Sequence, residues 1–177
     1  MALKAPSFDF SNFKKLKLIK KFKYYHTNTV FGEVDKIQDK KTGNIFLAYI
    51  SHPEESKKDS KSLKRVIDIL SNLQEHQVIL NFIGYSKFVQ NNKTHTAIIT
   101  DYCPNGILKD IIQAERNGHP FQGWDDTKKL ITIYGIASGM AYLHSKGILH
   151  RNLKPVTIFM DGSLYPKIHG FNLLIKC

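Results

Sequence analysis

Over residues 13–25 apolar positions are threaded through a run of lysines: Phe13, Leu16, Leu18, Ile19 and Phe22 among Lys14, Lys15, Lys17, Lys20 and Lys21. Leu16 and Leu18 have the two-residue spacing of a strand, whereas Phe13, Leu16, Ile19 and Phe22 fit one face of a helix, so periodicity leaves both open. A strand, the favoured reading, would start a small sheet with its lysines toward solvent. A helix would lie on an anionic membrane surface. Residues 34–37 and 44–50 read as two further strands around a turn at Lys41-Thr42-Gly43. The polar stretch 52–62 predicts an exposed loop, after which Leu63, Val66, Ile67, Leu70 and Leu73 mark one face of a helix. Residues 79–89 and 96–102 predict two more strands, separated by the turn Gln90-Asn91-Asn92-Lys93. Pro104-Asn105-Gly106 closes this half of the chain.

The pattern then becomes helical. Residues 107–116 predict a short helix stopped near Asn117-Gly118. Asp125 is a good N-cap for a long helix ending near Ser145, with Leu130, Ile133, Ala137, Met140 and Ala141 on its buried face. Residues 158–160 and 164–168 suggest a hairpin closed by Asp161-Gly162-Ser163. Residues 1–12 read as a loose lead-in.

Composition narrows the class. Hydrophobic residues at 42% and charged ones at 23% are those of an ordinary globular protein. No apolar run approaches the ~18 residues of a membrane span, and the first residues lack a signal-peptide core. The net charge of +11 comes almost wholly from lysine, with only Arg65, Arg116 and Arg151 as arginines. Lysine lacks the planar fork that reads phosphates and bases, so a solvated basic surface is favoured over a specific nucleic-acid face. Cys103 and Cys177 cannot build a disulfide framework, which points to a reducing, cytoplasmic setting.

The candidate chemistry lies in His150-Arg151-Asn152-Leu153-Lys154-Pro155, with Thr157 beyond it and Gly170-Phe171-Asn172 further on. This run resembles the catalytic loop and metal-binding turn of a eukaryotic protein kinase, and the tyrosine-kinase-like group most closely. A kinase loop reads His-Arg-Asp-Leu-x-x-x-x-Asn, followed later by Asp-Phe-Gly; the first Asp is the base, and the Asn and second Asp hold metal. Here Asn152 stands for the base, Thr157 for the loop Asn and Gly170 for the second Asp. Positioned acid–base groups are worth ~10²–10⁴ in rate, and Asn152 cannot take a proton near neutral pH. Lys154 remains, at a place that faces the transferred phosphate in related kinases.

The resemblance extends back to about Phe13 and is strongest from Ile79 onward, above all from Trp124 to Pro155. Along it, the glycine-rich phosphate loop falls on Thr27, Thr29 and Gly32, ahead of Val34, so only one glycine is kept. The phosphate-binding Lys falls on Tyr49, or on Ile50 if the register slides by one, and Leu47 replaces the small residue above the adenine. The Glu that should pair with that Lys falls on Val66, after Arg65. Thr100 matches the back of the nucleotide cleft, Asp101, Tyr102 and Cys103 match the hinge, and Phe159 is bulky for the adenine floor. His150, Phe171 and Leu70 match an apolar stack between the lobes.

The resemblance therefore implies an α+β, protein-kinase-like fold. It would have a small β-rich N-lobe with one helix over 13–100, a hinge at 101–106, and a partial, mostly helical C-lobe over 107–177. It also implies lost phosphotransfer, weak or absent ATP and magnesium binding, and no metal site. The expected role is a pseudokinase module that binds a protein partner, such as an active kinase or another signalling component. A kinase domain of both lobes needs roughly 250 residues or more. The chain stops six residues after Phe171, before the activation segment. Such an end would leave side chains around Ile133 to Met140 as an exposed apolar patch. Two other readings stay open. One is a divergent ATP-dependent kinase that recruits Lys154 and His169. The other is a basic nucleic-acid or membrane-surface binder acting through residues 13–25.

Overall fold

In the computed structural model, which describes residues 5–21, 30–53, 57–170 and 175–176, the lysine-rich segment is a strand, β1 (Phe13–Lys21). The helical alternative fails for these residues, while 22–25 lie outside the described part. β1 pairs antiparallel with β2 (Phe31–Asp39), which pairs with β3 (Ile45–Ser51). β4 (Phe82–Gln90) and β5 (Lys93–Asp101) complete a sheet of order β1-β2-β3-β5-β4. β2 and β5 are longer than the apolar alternation alone suggested, whereas β4 is shorter than the expected 79–89. β4 begins at Phe82, because Ile79 instead bridges Ile168. β1 is an edge strand on which Leu16, Leu18 and Ile19 are exposed among lysines, and lysine there discourages edge-to-edge pairing.

The chain divides into two compact units, one of residues 1–74 with 81–102 and the other of 75–80 with 103–177. In the first, alternate residues of the strands build one core face: Ile37, Ala48, Ile50, Ala97 and Ile99 are buried, with Phe10, Phe13, Phe46 and Phe88 packed against them. From residue 5 onward the lead-in is part of this unit rather than loose. Phe8 N–H donates to Tyr85 O at 2.9 Å and Tyr85 N–H donates to Pro6 O at 3.0 Å. Phe10, on a 3-10 turn capped by Asp9, stacks on Phe88 with centroids 4.3 Å apart. A Cβ at Gly84 would lie 2.5 Å from both Pro6 O and the Phe8 ring, so glycine permits this approach.

Helix α1 (Lys57–Ser71) begins inside the predicted loop 52–62. Lysine is a good helix former, so a polar sequence did not mean an irregular one. Leu63, Val66, Ile67 and Leu70 are buried as expected, while Leu73 lies beyond the helix and is half-buried.

The second unit holds α2 (Leu108–Arg116) and α3 (Asp126–Ser145). It also holds short pairs β6 (Ile148–Leu149) with β9 (Ile175–Lys176), and β7 (Ile158–Met160) with β8 (Pro166–Ile168). The Asp125 carboxylate accepts from Lys128 N–H at 2.8 Å, so the predicted N-cap is in place. Of the predicted buried face of α3, Met140 alone is half-buried and the rest is exposed. Leu130, Ile133 and Tyr134 are 68%, 67% and 78% exposed, and Ala137 and Ala141 are exposed too. The buried face is Thr132, Gly135, Gly139 and Leu143. A Cβ at Gly139 would come within 2.7 Å of Ile168 and one at Gly135 within 2.9 Å of Pro166. Close backbone approach to β8, not side-chain bulk, decided which face turned inward.

Candidate functional site

The sequence-selected positions of the first unit fall on one sheet face. Register pairs Val34 with Tyr49 and Leu47 with Thr100, so these four lie together, opposite the Ile37–Ala48–Ile50 face. All four are buried, and the Tyr49 ring meets Phe31 edge-on at 5.8 Å. The Thr100 hydroxyl donates to Asp101 O at 3.3 Å. Gly32 sits where a Cβ would be 3.0 Å from the His52 ring. Thr27 and Thr29 are outside the described residues.

The second unit carries the remaining positions. Cys103 is buried, and Phe159 on β7 lies 4.8 Å from the His169 ring. His150 is almost wholly buried, and its hydrogen bonds define its state. Nε2–H donates to His169 O at 2.7 Å, and Nδ1 accepts from Asn152 N–H at 3.2 Å. A carbonyl can only accept and an amide N–H can only donate, so the ring is neutral with its proton on Nε2. Burial holds its pKa below the ordinary histidine value, against the contribution of the His169 carbonyl. Next to it, Arg151 adopts a left-handed backbone, φ +59°, and is exposed, as is Lys154.

Thr157 closes the loop on itself. Its hydroxyl lies 2.8 Å from Asn152 O and 2.9 Å from Lys154 O as donor, and accepts from Lys154 N–H at 3.1 Å. Its own N–H donates to Lys154 O at 2.8 Å, and His169 N–H donates to Thr157 O at 2.8 Å. The side chain's methyl fills the space beside Gly170. A Cβ at 170 would lie 2.8 Å from Thr157 Cγ2 and 3.5 Å from His150, and φ is +100° there. The structure thus brings His150, Asn152, Lys154, Thr157 and Gly170 into one turn. Phe171, Asn172 and Cys177 lie outside the described residues.

The sequence alone did not single out the fit between Thr157 and Gly170, nor Lys15, Glu33 and Asp35 in the first unit. For the last two a signal existed: Glu33 and Asp35 alternate in phase with buried Ile37 on β2, an unusual place for charge.

A family model described as "Protein kinase domain" matches residues 28–176. The chain belongs to the protein kinase domain family, and its α+β fold with a β-rich N-lobe sheet is that of the family. It is 30% identical over 149 residues to MAP3K epsilon protein kinase 1 of Arabidopsis thaliana, covering 82% of this chain and 10% of that protein. Aurora kinase of Patiria pectinifera is 29% identical over 133 residues, 74% of this chain and 30% of the relative. The inactive leucine-rich repeat receptor-like protein kinase CORYNE of Arabidopsis thaliana is 30% identical over 126 residues, 67% and 29% of the two. The chain thus spans a tenth to three tenths of these relatives. Among the described residues no helix is long and apolar enough to cross a membrane.

Proposed function

We propose that this chain is a pseudokinase of the tyrosine-kinase-like group, without phosphotransferase activity, that acts in the cytoplasm by binding another signalling protein. The carrying observation is the closed turn at Thr157 and Gly170. A divalent cation requires several oxygen ligands, normally including carboxylates. The Thr157 hydroxyl is committed to the backbone of its own loop, Gly170 offers no side-chain donor, and a carboxylate grafted at 170 would collide with the Thr157 methyl. The residues present do not fit magnesium. Asn152 adds to this, since an amide cannot serve as the base. The placing of buried Leu47 and Tyr49 on the face shared with Val34 and Thr100 also favours a sheet face that is filled by side chains and uncharged.

A second reading, a divergent ATP-dependent kinase, is favoured by the relatives named as kinases and by the exposed Lys154. Transfer of labelled γ-phosphate to the chain itself and to a generic protein substrate separates the two. The pseudokinase reading expects no transfer above the protein-free blank. Magnesium-dependent labelling abolished by Lys154→Ala would establish the second reading instead.

A further inference from the structure

On the Ile37–Ile50 face of the sheet lies a cavity of about 180 Å³. Phe10, Phe13, Ile37 and Ile50 form apolar walls, and Lys15, Glu33, Asp35 and Gln90 contribute polar groups. Glu33 and Asp35 are two apart on β2 and share its inner face, while Lys15 comes from β1 opposite Ile37. Lys15 Nζ lies 2.6 Å from Asp35 Oδ2 and 3.6 Å from Glu33 Oε1. Among the described side chains, two carboxylates face one ammonium.

The pair is asymmetric. The Asp35 side chain is 2% exposed, whereas that of Lys15 is 52% exposed. Burial pushes the Asp35 carboxyl above its ordinary range in spite of Lys15; for half-exposed Lys15 burial also opposes the charge, but the two carboxylates outweigh it and raise its pKa. Asp35 Oδ1 is buried and receives no hydrogen bond. A buried carboxylate oxygen without a donor is costly. A metal ion is disfavoured because Lys15 already stands between the carboxylates.

We propose that this cavity binds a small organic monocation, a primary ammonium or guanidinium on a short apolar or aromatic stem. The head group sits against the Glu33 and Asp35 carboxylates, and the stem packs on Phe10, Phe13, Ile37 and Ile50. Aromatic side chains beside a cation add further attraction. The volume lies below the roughly 300–1,000 Å³ of sites for drug-sized ligands, so the occupant is small. The chain's net charge of +11 repels polycations, which favours a single positive charge. The site is independent of the catalytic-loop turn.

The same head group ends a free amine and a lysine side chain, and titration distinguishes them. The protein, labelled with ¹³C at isoleucine methyls, is titrated with phenethylammonium, with neutral 2-phenylethanol and with Nα-acetyl-lysinamide. Saturable shifts at Ile37 and Ile50 are expected with phenethylammonium, at least about tenfold weaker with the alcohol. Asp35→Asn should raise the Kd at least about tenfold. Should that variant lose the wild-type spectrum, Glu33→Gln is expected to raise it severalfold. Tighter binding of phenethylammonium than of lysinamide assigns the site to a free amine, and the reverse order assigns it to a partner's side chain; both keep the proposal. Equal binding of amine and alcohol, or no saturable shift up to about 10 mM, overturns it.

Discussion

The catalytic-loop turn and the cavity on the N-lobe sheet are both buried polar clusters, and they differ in how their hydrogen bonds close. In the turn, Thr157 is held by three loop groups, and His150 uses both ring nitrogens on backbone partners. The space beside Gly170 is filled by a methyl group. In the cavity, the Lys15–Asp35–Glu33 cluster leaves Asp35 Oδ1 without a donor and, among the described side chains, sets two carboxylates against one ammonium. The first cluster has a family motif's outline, and its Thr157 hydroxyl and His150 ring have no spare valence. The second has no motif and one open valence. Capacity to bind follows what remains unsatisfied, so the reading of function moves from the loop to the sheet.

The largest expected effect tests the closure of the turn. Gly170→Asp places a Cβ against Thr157 at φ +100°, and overpacking plus backbone strain should cost about 2–5 kcal/mol in urea unfolding. In a Thr157→Ser background, which removes the methyl and keeps the hydroxyl, the same substitution should cost at least about 1 kcal/mol less. Equal cost in both backgrounds would mean that the two residues do not constrain each other. Thr157→Val comes next. It keeps the shape and removes the hydroxyl from Asn152 O and Lys154 O, with an expected loss of about 1–3 kcal/mol.

Acidification gives a smaller contrast. The folded state keeps His150 neutral because burial depresses its pKa. Its contribution is therefore fully present above the unfolded value of about 6.5 and is lost as pH falls through it. The thermal midpoint should drop between about pH 7.5 and 5.5 more in the wild type than in His150→Gln. Asp35 acts in the opposite sense, since a raised carboxyl pKa favours the folded state once it is protonated. Asp35→Asn should shift stability at neutral pH by less than about 1 kcal/mol, because relief of a buried charge offsets the lost ion pair. Ile133→Lys on the exposed face of α3 should change it least, within about 0.5 kcal/mol.

The fold was legible where chemistry is local. The Asp125 cap, the turn at Asp161 and the α1 stripe from Leu63 to Leu70 follow from residue type and spacing. Failures came where packing at a distance decides. α3 is apolar on both faces, so periodicity chose Leu130 and Ile133, and only the close approach of β8 to Gly135 and Gly139 shows the true inner face. The expected apolar patch around Ile133 is exposed for the same reason. The positions of the candidate site were read from a family resemblance in one dimension. That Thr157 touches Gly170 across thirteen residues, or that Asp35 lacks a second donor, is a property of three-dimensional placement that no spacing announces.

The most direct measurement is thermal unfolding of the purified chain with magnesium ATP and, separately, with phenethylammonium. A ligand at a hundredfold over its Kd adds ~2.7 kcal/mol, a rise of roughly 5–10 °C for a chain of this size. The account predicts that the amine raises the midpoint and that magnesium ATP leaves it unmoved. A magnesium-dependent rise with ATP, and none with the amine, would contradict it.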